Sequence, residues 1–160
     1  MALPIRNTVR VLLLNDKNEI LLIRIKKTEN PFWFTVGGGI DEGESLEEAA
    51  FREIYEETGI TKDQVKLGPI VWKGELDYPA DDNQLMRHKQ KFIVAKTQKT
   101  KVYAAQPTEW EKKFAGEMSW FSLEKIKKSK ETIFPKQLQK HLPDIISEKY
   151  PQKLIDIHLD

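Results

Sequence analysis

The sequence predicts an α/β fold, in which a mixed β-sheet is covered by helices. Short apolar runs bounded by turn-forming residues recur along the chain, and such runs are typical of strands. Another segment follows a helix-capping sequence and carries an apolar residue at every fourth position, a pattern typical of an amphipathic helix. Because a chain of 160 residues corresponds to about one domain, we expect a single domain over 1–160.

The first three strands are predicted between residues 9 and 36. Two apolar runs, 9–14 and 20–25, are separated by turn formers, which favours a hairpin. The aromatic strand 32–36 then runs into the three glycines 37–39. Consecutive glycines let the backbone take positive φ and approach a ligand closely, so this strand end is a candidate binding loop.

An amphipathic helix is predicted over 46–58. Ser45 and Glu48 stand three residues apart and form a capping box that begins the helix. Gly59 ends it, since glycine is common at the left-handed position that follows a helix. The residues expected to face the core recur every four positions: Leu46, Ala50 and Ile54.

The second half of the chain is predicted to add three strands and three helices. Ser122 is an N-cap residue for the first of these helices, and Pro143 separates the other two. The predicted strands cover 65–77, 85–96 and 117–121, and the helices cover 123–128, 134–142 and 144–150.

The last residues form a separate tail. We expect the core of the domain to span about 9–142 and the helical or strand-like tail to span 143–160. Residues 153–159 alternate partly between apolar and polar, as a strand does. The tail is therefore predicted either to pack on the domain edge or to form a homodimer interface.

Composition excludes several classes of protein. Hydrophobic residues make up 39% of the chain and charged residues 32%, which is typical of soluble globular proteins. The chain contains no cysteine, so disulfides, a thiolate nucleophile and cysteine-bound metals are excluded. Because no apolar run approaches the ~18 residues of a membrane span and the first residues lack a signal-peptide core, we expect a cytoplasmic protein with no membrane partner.

Charge is distributed unevenly. The window 41–57 contains eight acidic residues and one basic residue, so its net charge is −7, and that of the remaining chain is +8. An acidic cluster in an otherwise basic protein indicates a cation site that faces an anionic substrate. The alternative is a solvated, acidic helix face without a ligand.

The spacing of three acidic residues favours the cation site. Glu53, Glu56 and Glu57 fall within about 100° on one face of the helix, where like charges repel one another. Arg52 can reach Glu56 but cannot neutralise three carboxylates. A hard divalent cation would neutralise them, because Mg²⁺ and Mn²⁺ prefer oxygen ligands and can also bind substrate phosphates. The sequence therefore predicts a metal–phosphate site here.

A longer motif surrounds these carboxylates. Gly38 is followed after five residues by Glu44 and after seven more by the run 52–60, Arg-Glu-Ile-Tyr-Glu-Glu-Thr-Gly-Ile. This pattern resembles the Nudix signature at every position, and the likeness to MutT-like Nudix hydrolases extends over about 9–142. One departure is Val36, where a proline is common before the glycines.

The resemblance implies a fold and a metal site. The family's fold is an α/β/α sandwich, with the mixed sheet between helices. Mg²⁺, for which Mn²⁺ is an alternative, would be held by Glu56, Glu57 and the carbonyl of Gly37. Glu53 would complete the metal shell or serve as the general base.

It also implies supporting catalytic residues. Arg52 would orient the carboxylates, and Glu44 would assist through a water molecule or a second metal. Several family members take a further acid from a loop after the Nudix helix. Its position varies among relatives, and the candidates here are Glu109, Glu111 and Glu117.

The implied activity is hydrolysis of a nucleoside diphosphate linked to another group X. A nucleoside triphosphate, canonical or oxidised, ranks first, before ADP-ribose or other sugar nucleotides and dinucleoside polyphosphates; no nucleic-acid polymer is expected. Arg24 and Trp33 are candidate substrate-binding residues, for a phosphate and for stacking on a base. The alternative roles are a surface residue for Arg24 and a core residue for Trp33. A nucleotide sensor without turnover is the alternative function.

Overall fold

The computed structural model describes residues 2–26, 29–80 and 82–160. The described residues form eight strands that join in one sheet. The strands are β1 (Ile5–Leu14), β2 (Ile20–Ile25), β3 (Phe32–Gly39), β4 (Val65–Pro79), β5 (Leu85–Thr97), β6 (Ala115–Phe121), β7 (Thr132–Phe134) and β8 (Ile155–Asp156).

The sheet is mixed, as predicted. Its strand order is β6-β2-β3-β1-β5-β4-β8, and β7 pairs in parallel with the start of β3. β1 lies at the centre, where it pairs in parallel with β5 along its whole length and antiparallel with β3. The glycines that end β3 pair with the first half of β1, so the glycine loop is anchored in the middle of the sheet.

The predicted hairpin between the first two strands is largely wrong. β1 and β2 pair only at Leu14 and Ile20, next to the turn, and then diverge. β3 lies between them in the sheet and pairs with both. Each strand has two backbone edges, and β3 and β5 occupy those of β1. Short-range turn signals therefore located this turn but did not determine which strands pair.

Helices cover both faces of the sheet, which confirms the predicted sandwich. The described residues form α1 (Leu46–Thr58), α2 (Glu109–Phe114), α3 (Leu123–Lys128) and α4 (Leu138–Ile146). α1 and α2 pack on one face, where Ala50 and Ile54 are fully buried. α3 and α4 pack on the other face, where Leu138 and Leu142 are buried.

α1 forms as the local signals predict. Ser45 Oγ accepts a hydrogen bond from Glu48 N–H, and Glu48 Oε1 accepts one from Ser45 N–H. Gly59 follows the helix at φ 76°, in the left-handed region. Ser122 caps α3 in the same way, by accepting from the N–H of Lys125.

Three predictions after residue 105 need correction or completion. Two helices separated by Pro143 are wrong, because α4 continues through it and buries Leu142 and Ile145 on either side. α2 was not predicted, although Thr108 and Glu111 form a capping box that signals it. In the tail, β8 pairs with β4, and Ile157 is buried in the core of the same chain.

The longest helix described, α1, has 13 residues. Of the helices in the described part of the chain, none combines the length and the apolarity that a membrane crossing requires.

Candidate active site

The site lies where the end of β3 meets the C-terminal half of α1. The N–H of Gly37 donates to Glu57 Oε1 over 2.8 Å, which joins the two elements directly. The carboxylate of Glu53 lies against Gly38, where a Cβ atom would stand only 2.4 Å from Glu53 Oε1. Glycine at position 38 therefore makes room for the acidic side chain.

Arg52 donates hydrogen bonds to three carboxylates and lies 3.6 Å from a fourth, that of Asp41. Its Nε and Nη2 donate to the two oxygens of Glu44 over 2.8 and 2.9 Å. Its Nη1 donates to Glu53 over 2.9 Å and to Glu56 over 3.3 Å, and Nη2 also reaches the carbonyl of Gly39. Glu44 foremost, and then Glu53, raise the pKa of the guanidinium, which burial opposes. Arg52 thus holds the acidic side chains in place without neutralising all of them.

Glu57 is the most unusual carboxylate of the site. Its residue is only 4% exposed, and its Oε2 atom finds no hydrogen-bond partner among the described residues. Burial raises its pKa well above the ordinary 4.5, and repulsion by Glu53 and Glu111 raises it further. The bond from Gly37 opposes this shift without reversing it. A buried oxygen without a partner is costly unless a cation or a donor reaches it.

The arrangement fits a hard divalent cation, although the residues that the structure describes form no preformed cage. Within the described part of the chain, no three histidine, aspartate or glutamate side chains are arranged to hold a metal ion. The guanidinium of Arg52 bridges the acids instead. The unpartnered oxygen of Glu57 and the partly exposed carboxylate of Glu56 are oxygen donors of the kind that Mg²⁺ prefers.

Of the three downstream acids, one interacts electrostatically with this cluster. The charge of Glu111, on α2, raises the pKa of both Glu56 and Glu57. Glu109 instead pairs with Lys112 and is almost fully exposed, and Glu117 interacts with Arg24. This interaction therefore favours Glu111 as the additional acid of the site.

Arg24 and Trp33 lie elsewhere, in a cluster with Glu131. Arg24 donates from Nε and Nη2 to the two oxygens of Glu131 over 3.0 and 2.6 Å. The indole N–H of Trp33 donates to the same carboxylate over 3.0 Å. Trp33 is 7% exposed and packs edge-on against Phe121, so its ring is part of the core. Their predicted substrate contacts stay predictions, with both side chains tied to Glu131.

Arg10 is a site residue that the sequence analysis missed. Its Nη1 donates to the carbonyls of Thr35 and Gly37 over 3.1 and 3.3 Å, and its guanidinium lies over the ring of Phe34. Its positive charge also lowers the pKa of Glu57. The available signal was a cation inside the apolar run of β1.

Comparison with known proteins gives related sequences over part of the chain. A 49-residue stretch is 53% identical to the "Putative 8-oxo-dGTP diphosphatase" of Bacillus subtilis (strain 168), covering 31% of this chain and 32% of that protein. Another 87-residue alignment is 32% identical to the RNA pyrophosphohydrolase of Pelagibacter ubique (strain HTCC1062), covering 46% and 55%. The chain therefore spans about a third to a half of the length of these curated relatives.

Solved structures match over nearly the whole chain. The MutT protein of Methanosarcina mazei Go1 is similar with a TM-score of 0.62 at 26% identity, covering 96% of this chain and 99% of that one. A NUDIX-family hydrolase from Clostridium perfringens has a TM-score of 0.66 at 21% identity, covering 90% and 97%, and supports the fold alone. The NUDIX domain family model matches residues 4–142. With its signature, its sandwich fold and this match, the chain belongs to the NUDIX domain family.

Proposed function

We propose that this protein is a Mg²⁺-dependent pyrophosphohydrolase, which cleaves a nucleoside diphosphate linked to another group X. The observation that carries the proposal is the buried carboxylate of Glu57, which has one oxygen without a partner among the described residues and further acids around it. Such an excess of negative charge at the end of a glycine loop calls for a cation. The complete Nudix signature and the family membership support the same reaction class.

The residues that would hold the metal are Glu56, Glu57 and the carbonyl of Gly37, with Glu53 completing the shell or serving as the general base. When bound, a divalent cation supplies charge stabilisation to the phosphoryl oxygens and lowers the pKa of a bound water. Arg52 keeps Glu44, Glu53 and Glu56 oriented through the hydrogen bonds described above. Glu44 assists from the loop before α1.

The proposed reaction is hydrolysis, which needs a group that accepts a proton from the attacking water. A water molecule attacks one phosphorus of the phosphoanhydride, and a carboxylate accepts its proton. Glu53 takes this role when it is not a metal ligand, and Glu111 is the second candidate because it faces the same acids. A nucleoside triphosphate would give a monophosphate and pyrophosphate.

The first substrate we propose is a nucleoside triphosphate, canonical or oxidised. The name of the Bacillus subtilis relative, which is 53% identical over 49 residues, supports an oxidised one. ADP-ribose, other sugar nucleotides and dinucleoside polyphosphates follow in that order. A sensor without turnover is disfavoured, because each carboxylate of the signature is present.

A second candidate is the 5′-triphosphate end of RNA. The Pelagibacter ubique relative is named an RNA pyrophosphohydrolase, and its alignment is the longer of the two described above. This candidate differs from our expectation that no nucleic-acid polymer is bound, so RNA belongs in the first experiment. The expected cytoplasmic location, the single domain over 1–160 and a homodimer stay predictions.

The test is release of phosphate and pyrophosphate from a substrate panel, with Mg²⁺ and with Mn²⁺. The panel contains canonical and oxidised triphosphates, ADP-ribose, sugar nucleotides, dinucleoside polyphosphates and a short 5′-triphosphorylated RNA. Glu57→Gln is the matched control, because it keeps the shape of the side chain and removes its charge. One substrate turned over far faster than the rest, by the parent only, supports the proposal and identifies X. Negligible release from every substrate, equal in parent and variant, contradicts it.

A further inference from the structure

The segment 98–108 lies against the C-terminal end of α1, the helix that carries the signature. The N–H of Tyr103 donates to the carbonyl of Thr58 over 3.1 Å, and the N–H of Gln106 donates to the carbonyl of Glu56 over 2.9 Å. The last carbonyls of a helix have no partner within it, so an outside donor satisfies them. The segment therefore caps α1 from outside.

The ring of Tyr103 rests directly on Gly59. A Cβ atom at position 59 would lie 2.4 Å from Cε1 and 2.6 Å from Cζ of that ring, a distance at which atoms clash. Gly59 also has φ +76°, where side chains other than hydrogen are strained. The last glycine of the signature is thus favoured by its backbone angle, and a side chain at this position would displace the ring of Tyr103.

This contact bears on the position of Glu111. Gln106 lies two residues before Thr108, the N-cap of α2, and three residues before α2 begins. Thr108 and Glu111 exchange hydrogen bonds in a capping box, over 2.9 and 3.1 Å. The place where the segment meets α1 therefore determines where α2 starts and where the carboxylate of Glu111 stands.

The other end of α2 is held independently. Lys26 N–H donates to the carbonyl of Phe114, and the ring of Phe114 packs against the core. Loss of the Tyr103 contact would leave this end in place and loosen the N-terminal end, which carries the capping box and where Trp110 still packs against the core. The effect should therefore concern Glu111 rather than the fold.

We propose that Tyr103 is a positioning residue, which seats the segment 98–108 on Gly59 and thereby directs Glu111 at the acidic cluster of α1. The role rests on the proposed function, since Glu111 matters only if the cluster is catalytic. The ring is the part that acts, through its contact with Gly59. Tyr103 is otherwise 61% exposed, and its removal leaves no cavity in the core.

The experiment compares Tyr103→Ala with Tyr103→Phe and with Leu85→Ala, which removes an exposed apolar side chain at the distant β4–β5 turn. Tyr103→Ala should lower kcat by ~10- to 100-fold with little change in KM, as misplacement of a catalytic group does. Tyr103→Phe should retain the parent kcat, because it keeps the ring. Leu85→Ala should also match the parent.

A double-mutant cycle then separates positioning from stability. Tyr103→Ala should cost nothing further in the Glu111→Gln background, because the group it positions is already absent. Equal and additive losses in the two backgrounds would overturn the proposal, as would an unchanged kcat in Tyr103→Ala or a loss in Tyr103→Phe equal to that in Tyr103→Ala.

A second readout needs no substrate and no metal. Trypsin cleavage after Lys99 and Lys101 reports how well the segment is seated, and it should be faster in Tyr103→Ala than in Tyr103→Phe and Leu85→Ala. Cleavage that does not change would overturn the seating. If the parent shows no turnover while cleavage changes as expected, the proposed function fails and the seating stands. If neither activity nor a change in cleavage is found, both fail.

Discussion

The protein contains two clusters in which an arginine meets acidic side chains, and they differ in charge balance. In the first, Arg24 donates twice to Glu131, which also accepts from Trp33. One cation faces one anion, and both carboxylate oxygens are satisfied. In the second, one guanidinium, that of Arg52, donates to three carboxylates, and one oxygen of Glu57 has no partner among the described residues.

The pKa directions follow from this difference. Hydrogen bonds from Arg24 lower the pKa of Glu131, so its charged form is stabilised in the folded protein. Burial and neighbouring acids raise the pKa of Glu57, so its charged form is destabilised there. The balanced cluster stabilises the fold, whereas the unbalanced cluster lowers stability, as expected of the cation site proposed above. The following predictions test this contrast.

Glu57→Gln should have the largest effect. We expect kcat to fall by ~100-fold or more, because a charge aimed at the reacting centre is lost. In a chelator, the same variant should have a higher Tm than the parent near neutral pH, because a buried charge is removed. Calorimetry and turnover measure the two effects, with Glu131→Gln as the control. A lower Tm together with normal turnover would contradict the difference that we infer between the two clusters.

The pH dependence of that Tm difference has a definite sign. Below the ordinary carboxyl pKa of 4.5, Glu57 is protonated in both states and the variant gains nothing. As the pH rises above 4.5, the unfolded chain ionises while folded Glu57 retains its proton, so the parent loses stability. The advantage of Glu57→Gln should therefore grow with pH until the folded carboxyl ionises. Metal-free melting curves across this range test the sign.

Arg52→Lys comes next. Lysine keeps the positive charge but cannot bind Glu44 through two nitrogens while also reaching Glu53 and Glu56. We expect kcat to fall by ~10- to 100-fold, as it does when supporting contacts of a metal site are lost. The matched control is Arg87→Lys, which breaks a paired contact to Asp77 on the exposed β4–β5 arm and should leave kcat unchanged. Equal losses of kcat in the two variants would contradict a specific role of Arg52 in turnover.

Glu111→Gln should have a moderate effect and Glu109→Gln almost none. The two residues lie in the same turn of α2, but only Glu111 raises the pKa of Glu56 and Glu57. We expect a loss in kcat of ~10-fold or more for Glu111→Gln, and of up to ~100-fold if it is the general base. Steady-state kinetics of the two variants side by side would decide between these acids.

Glu131→Gln should have the smallest effect on turnover and should instead lower the stability of the fold. The Tm should fall at neutral pH, and the difference from the parent should be complete above pH 4.5. It should shrink as the pH falls through the lowered pKa of folded Glu131, since the parent then loses its charge as well. An increase in KM instead would place Arg24 and Trp33 at the substrate after all.

Much of the helix and of the acidic site was predictable from neighbouring residues. The capping box of Ser45 and Glu48, the left-handed Gly59 and the four-residue apolar repeat are local signals, and α1 has the predicted bounds. The strand pairing was not predictable in this way, because β3 enters between β1 and β2. Nor was the pairing of Arg24 with Glu131, which lie 107 positions apart.

The sequence by itself determined that the glycine loop precedes the acids along the chain. It also determined which acids share one helix face, because the helix depends on contacts within a few residues. Only the tertiary structure decided which acid is buried without a full set of partners and which downstream acid joins it. Burial depends on how the end of β3, α1 and α2 come together across the sheet. The sequence specifies which residues carry a charge, but the free-energy cost of each charge depends on the surroundings that folding brings together.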